Sequence, residues 1–179
     1  WIQRTAKLLR TGCMDGVRNS VLNFMVRSSM HKRLWLNDPD CVMIRDRGTG
    51  LKPAERQAQI DAISVTGGIL MYSDDFSALS DSALGEMALI DSVSDACFSG
   101  RCIAVDLMEK EIPEIYYNTS GYIAFFNFEG RSRLRRFDLD VLRFYEKNLS
   151  GLVDLRSGER LVLDGSLRSE EHTSELQSH

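Results

Sequence analysis

Along the first half of the chain, apolar positions recur at three- and four-residue steps, then give way to short unbroken apolar runs. Val17, Val21, Phe24 or Met25, and Ser28 fall on one side of a helix that Asp15 can cap. Leu34 to Leu36 begins a strand, and Cys41 to Ile44 is again strongly apolar, with Asn37-Asp38-Pro39-Asp40 between them. Pro53 opens a second helix, because a first-turn residue needs no N–H. Ala54, Ala58, Ala62 and Val65 or Ile63 form its buried side, and Thr66-Gly67-Gly68 stops it. Ile69 to Tyr72 is a short, wholly apolar strand of the kind buried on both faces of a parallel sheet, and Ser73-Asp74-Asp75 follows at once. A third helix is predicted from about Asp81 to Ser94, with Leu84, Met87, Ala88 and Ile90 or Asp91 along it.

Beyond residue 95 the period changes to two. Ile103, Val105 and Leu107 alternate with small or acidic residues. Runs at Ile112 to Tyr117, Tyr122 to Phe128, Leu134 to Leu139, Leu152 to Leu155 and Leu161 to Leu163 follow. Asn118 to Gly121, Glu129-Gly130 and Ser157-Gly158 supply turns, and one helical insertion covers Val141 to Lys147. This half reads as a small antiparallel sandwich. In the first half, helices alternating with strands imply right-handed parallel units. Both acidic loops fall at the carboxyl ends of their strands, the rim that carries the chemistry in (β/α) barrels. Asp and Asn at strand ends also make ordinary turns and caps. A Pro flanked by two Asp within an apolar stretch is locally costly, which favours a special role for Asn37 to Asp40.

Composition sets limits on partners. Of 179 residues, 43% are hydrophobic and 27% charged, a globular profile, and no run of 18 apolar residues offers a membrane span. The string Arg168 to His179 has no apolar periodicity and resembles a sequencing-adapter oligonucleotide read in frame, so it is set apart from the fold as a tail expected to be disordered. Trp1 suggests a start internal to a longer chain. Setting aside one arginine and three glutamates of the tail from the chain's 22 and 26 leaves 21 basic against 23 acidic residues, a balance that excludes nucleic acid as partner. The one basic cluster, Arg131 to Arg136, suits a turn exposing its arginines. Cys13, Cys41, Cys97 and Cys102 lack the paired spacing of a zinc site, and free thiols are expected, with a Cys97–Cys102 disulfide as the alternative. His31, ahead of Lys32 and Arg33, reads as a helix cap or loop hydrogen-bonder rather than a catalytic base.

The run from His31 to Arg45, HKRLWLNDPDCVMIR, closely resembles the late-barrel segment of glycoside hydrolase family 36, the bacterial α-galactosidases and melibiases. Arg18-Asn19, the stretch Ser64 to Asp75 (SVTGGILMYSDD), the opening Cys102 to Leu107 and the turn Asp154 to Glu159 share the resemblance. It implies an α/β plus β fold. Residues 1–95 would be the C-terminal portion of a (β/α)8 TIM barrel, and residues 96–167 a small antiparallel β-sandwich domain. It also implies a retaining mechanism with two carboxyls about 5–5.5 Å apart. Neither catalytic motif is present, so both carboxylates are expected upstream of Trp1 and the polypeptide as written is expected to be inactive.

Carried over residue by residue, Asp40 points into the sugar pocket and Cys41 lines it. A carboxylate accepts strong hydrogen bonds from two adjacent sugar hydroxyls. Asp38 would hold Asp40 in place, and Asp74 would touch the pocket rim or a neighbouring loop. Trp35 offers either an apolar face to a sugar or core packing within its strand, the latter preferred. The resemblance implies α-galactoside oligosaccharides of the melibiose and raffinose type as partners, no cofactor, no metal, and a homo-oligomeric cytoplasmic parent enzyme. Galactosyl transfer on the same fold is the near alternative. A non-catalytic carbohydrate-binding β-module is the alternative from another class.

Overall fold

The computed structural model describes residues 16–110, 112–128, 139–147 and 149–162. Asp15, Cys13, the arginine cluster at 131–136, most of the strand expected from Leu134, and the tail at 168–179 lie outside the described residues. Three long helices come first: α1 (Gly16–Val26), α2 (Pro53–Thr66) and α3 (Asp81–Ser99). Short 3-10 turns at Ser28–Met30 and Phe76–Ala78 join the connecting loops. A three-stranded antiparallel sheet follows in the order β1 (Cys102–Ala104), β2 (Ile115–Asn118), β3 (Tyr122–Phe125). Helix α4 (Leu139–Tyr145) and the hairpin β4 (Gly151–Val153)–β5 (Arg160–Val162) complete the described chain.

Helix α2 is the centre. It begins at Pro53, where Glu55 reaches back to accept the Lys52 N–H at 2.9 Å, and ends at Gly67 in the left-handed region, φ 65°. From Ala58 to Thr66 every residue but Asp61 is buried. Burying each of Ile60 and Ile63 contributes about 2 kcal/mol relative to exposure. On one side α2 meets Val21, Phe24 and Met25, the stripe read from the sequence of α1. On another it meets α3, which Ser80 caps by accepting the Ala83 N–H at 3.2 Å.

Helix α3 runs five residues past its expected end and turns inward only part of the expected face, Ile90 and Met87. Ala83, Ile90, Val93, Ser94 and Cys97 are buried, while Leu84 and Ala88 are exposed. Its sequence carries apolar residues on several sides, so periodicity alone did not fix the phase.

The sheet alternates as the period of two predicts. Ala104, Tyr116 and Ala124 are cross-strand neighbours and join the core of α1 and α2. Ile103, Tyr117 and Ile123, their neighbours one residue along, face a second cluster with Leu142 of α4. The sheet therefore lies between the helical layer and α4. Gly121, at φ 91°, closes the β2–β3 turn, and its N–H reaches the Asn118 carbonyl at 2.9 Å.

Asn118 fastens sheet to helices. Its fully buried carboxamide donates to the Val65 carbonyl at 2.8 Å and the Cys97 carbonyl at 3.1 Å, and accepts the Ser120 N–H at 3.0 Å. Both carbonyls belong to helix ends that have no onward helical partner.

Two expected strands are not formed. Leu34 to Leu36 lies in a turn in which Lys32, at φ 58°, donates its N–H to the Trp35 carbonyl at 2.8 Å. Its side chains stand outward, Trp35 with 47% exposure, so core packing is the wrong reading for that tryptophan. Segments 41–44 and 69–72 do run parallel, but only as a single bridge, Val42 with Tyr72. Pro39 lacks an N–H and Asp40 has φ 69°, so a regular ladder cannot extend through the bend. Met71 is exposed, against the expectation that this stretch is buried on both faces.

Cys97 and Cys102 are both free thiols, not a disulfide. Burial pushes each thiol up to about 12. Burial, aided by its bond to Glu146, pushes the Tyr117 hydroxyl up to about 12 as well.

Two outcomes follow from this architecture. Asn118→Ala takes the side-chain donor from the Val65 carbonyl and leaves the Cys97 carbonyl with the Gly100 N–H alone, at 3.1 Å, and lowers unfolding free energy by about 1–3 kcal/mol, read as a reduced urea midpoint. In alkali the unfolded chain releases thiol protons near pH 9.0, whereas the folded chain keeps them to about 12, so the folded state binds more protons over that window. Urea midpoints measured stepwise from pH 9.0 to 12 therefore fall as pH rises, and Cys102→Ala reduces the slope.

Candidate functional site

The loop from Asn37 to Asp46 is anchored before it bends. The buried Asn37 donates through Nδ2 to the Phe24 carbonyl at 3.1 Å, and its N–H reaches His31 Nδ1 at 3.0 Å. Its carbonyl accepts the Ile69 N–H at 2.9 Å. His31 is thus a buried loop hydrogen-bonder, and Nδ1 must be the unprotonated nitrogen to accept. Burial lowers its basicity first, with the Lys32 charge adding to the effect.

Next comes an Asx-type turn. Asp38 Oδ1 accepts the Asp40 N–H at 2.9 Å, which compensates for the missing donor at Pro39. Asp40 then takes the left-handed conformation, uncommon outside glycine and costing on the order of 1 kcal/mol. Its Oδ1 accepts the Cys41 N–H at 2.8 Å. Among the described residues, Oδ2 of Asp40 takes no N–H or O–H donor, and the residue is partly exposed. Cys41 is half-buried. Burial pushes its thiol up, and the bond and charge of Asp40 and the charge of Asp38 act in the same direction. A thiol pushed up in this way carries little of the thiolate, which is the reactive form.

Past the bend the backbone is gripped from both sides. Val42 donates to the Met71 carbonyl at 2.7 Å and accepts the Ser73 N–H at 3.3 Å. Asp74 Oδ2 accepts the Ile44 N–H at 2.6 Å, and Asp74 Oδ1 lies 3.3 Å from Arg45 Nη1. That second contact is an ion pair by distance but lacks hydrogen-bond alignment, so Oδ1 counts as a buried acceptor without a bond among the described residues. The Asp74 side chain is 0% exposed.

Of the four candidate binding residues, the structure places Asp38, Asp40 and Cys41 on one bend. Asp74 lies on the parallel neighbour, committed to Ile44 and Arg45 rather than open to solvent.

Three contributors were not singled out in the sequence. Arg56 Nη1 donates to the Ile44 carbonyl at 2.5 Å, Gln59 Nε2 lies 3.5 Å from the Cys41 carbonyl, and Arg45 pairs with Asp74. Arg56 and Gln59 sit three apart on α2, and two polar residues at that spacing beside Ala58 and Ile60 were the available signal. Asp75 caps the turn at Phe76–Ala78, and bonds from the Ser77 hydroxyl and N–H hold its carboxyl below the usual range. Among the described residues no group of three His, Cys, Asp or Glu side chains is placed to hold a metal ion, and no helix is long and apolar enough to cross a membrane. No protein-family model matches this chain.

The arrangement offers a strained, partly exposed carboxylate beside a neutral thiol on a backbone fixed from beneath. Asp74→Ala leaves the Ile44 N–H and the Arg45 guanidinium unpaired and costs about 2–3 kcal/mol of stability, measured by urea unfolding. Asp38→Ala, at an exposed turn, costs less, about 1 kcal/mol.

Proposed function

We propose that this chain contributes the sugar-holding part of a retaining α-galactosidase-type glycoside hydrolase acting on terminal α-galactosides of the melibiose and raffinose type. In this reading residues 1–95 close a (β/α)8 barrel and residues 96–167 form its small antiparallel β-domain. The two reacting carboxylates are supplied by polypeptide outside this sequence. A cytoplasmic, homo-oligomeric parent enzyme belongs to the same reading.

The observation that carries it is Asp40. Its bend turns one carboxylate oxygen back onto the Cys41 N–H, beside the Cys41 thiol, and leaves the residue partly exposed. A left-handed non-glycine residue is costly, and such outliers gather at ligand sites. An oriented carboxylate accepts hydroxyl hydrogens from neighbouring sugar oxygens, each charge-assisted. Cys41 then bounds the sugar with a small apolar wall that stays neutral at ordinary pH. Asp38 positions Asp40, and Asp74 positions the strand end beyond it. The resemblance of the string Trp35 to Cys41 to the family's late-barrel segment supplies the sugar class.

Saturation-transfer NMR of the chain with melibiose tests this. Binding is expected to weaken about 100-fold in Asp40→Ala, the loss of two charge-assisted hydrogen bonds. Equal saturation transfer in the native chain and the variant removes Asp40 from the sugar site.

A further inference from the structure

Hairpin β4–β5 is joined to the rest of the molecule differently from the long helices and the three-stranded sheet. None of residues 151–160 belongs to either apolar cluster, and Val153 and Leu155 are half exposed. The hairpin is well made within itself. Asp154 Oδ1 accepts the N–H groups of Arg156 at 2.8 Å and Ser157 at 2.7 Å, and Gly158 turns at φ 72°. Among the described side chains, Arg156 ties its loop to the helices by charge. Arg156 Nη2 lies 2.5 Å from Asp61 Oδ1 on α2 and 3.6 Å from Glu86 Oε1 on α3.

The ion cluster continues inward. Glu86 Oε2 is 3.9 Å from Arg56 Nη1, the same group that donates to the Ile44 carbonyl at 2.5 Å. Gln57 adds a bond to Asp61 at 3.1 Å. Two cations and two carboxylates therefore run from the hairpin loop to the backbone just past the Asp40 bend. Burial pushes the Asp61 carboxyl up, while Arg156 acts against that, so this carboxylate depends on its partner.

We propose that β4–β5 is a strap latched across the α2–α3 pair by Arg156, and that its closure steadies the bridged segment at Ile44. The latch pair keeps 43% and 28% side-chain exposure, so solvent and salt weaken it. For residues 151–160, opening breaks charge contacts without drawing a side chain out of either apolar cluster, and so needs less free energy than global unfolding.

Amide hydrogen exchange on the chain tests the latch. In Arg156→Gln, amides of residues 151–160 are expected to exchange about ten-fold faster, with those of β1–β3 unchanged and that of Ile44 accelerated. Raising sodium chloride from about 0.05 to about 0.5 M loosens the native hairpin in the same way and adds little to the variant, an arm that needs no substitution. Hairpin exchange within about two-fold of native in both arms overturns the latch, as does equal loosening of β1–β3. A loosened hairpin beside an unchanged Ile44 amide overturns its link to the bend.

Discussion

Three backbones meet where α2 ends, and the two glycines there are what permit it. A Cβ on Gly67 would lie 2.3 Å from the Cys97 carbonyl oxygen, and one on Gly68 would lie 2.7 Å from that of Asn37. Gly67 also needs its positive φ, so side-chain bulk and backbone conformation exclude other residues for separate reasons. This contact sets the close approach of α2 to α3 and of both to the Asn37 loop. The Asn37–Ile69 hydrogen bond and the Val42–Tyr72 bridge then follow as the chains leave side by side. The placement of Asp40 depends on this convergence more than on any contact Asp40 makes itself.

Helix α2 was legible because its start, stop and periodicity all agree: Pro53 at one end, Gly67 at the other, alanines between. The alternation at Ile103 and Val105 was equally clear, while Leu107 of the same series is exposed, and the register assigns each sheet face to a different helical partner. Leu34 to Leu36 misled because three bulky apolar residues in a row read as strand, while the feature that decides them is a left-handed Lys32. No residue type announces that conformation when it is not glycine or asparagine. The phase of α3 was legible only in part, at Met87 and Ile90, for another reason. Leu84 and Ala88 are apolar yet face outward, and the turn of a helix about its axis is set by what it packs on.

At the candidate site, sequence reasoning located the bend but not its support. Asp38, Asp40 and Cys41 stood out because aspartates flanking a proline are conspicuous. Arg56 and Gln59 did not, since charged and amide residues on a helix are ordinarily solvated. Their contacts are with the carbonyls of Ile44 and Cys41, and backbone acceptors leave no trace in a sequence. Asp74 illustrates the ambiguity of acidic loops: the same residue type is a strained, partly exposed group at Asp40, before the bridged segment, and a buried brace at Asp74, after its parallel neighbour.

Gly100 sits between α3 and β1, and a Cβ there would come within 2.0 Å of Asn118 Oδ1. The boundary expected at 95–96 falls inside α3, four residues before that seam. Helices and sheet are thus sewn together by hydrogen bonds that cross from one to the other. The β half is therefore no interchangeable cassette: a graft at this junction must bring Asn118, Gly100 and the end of α3 together, or the Val65 carbonyl is left with nothing to answer it.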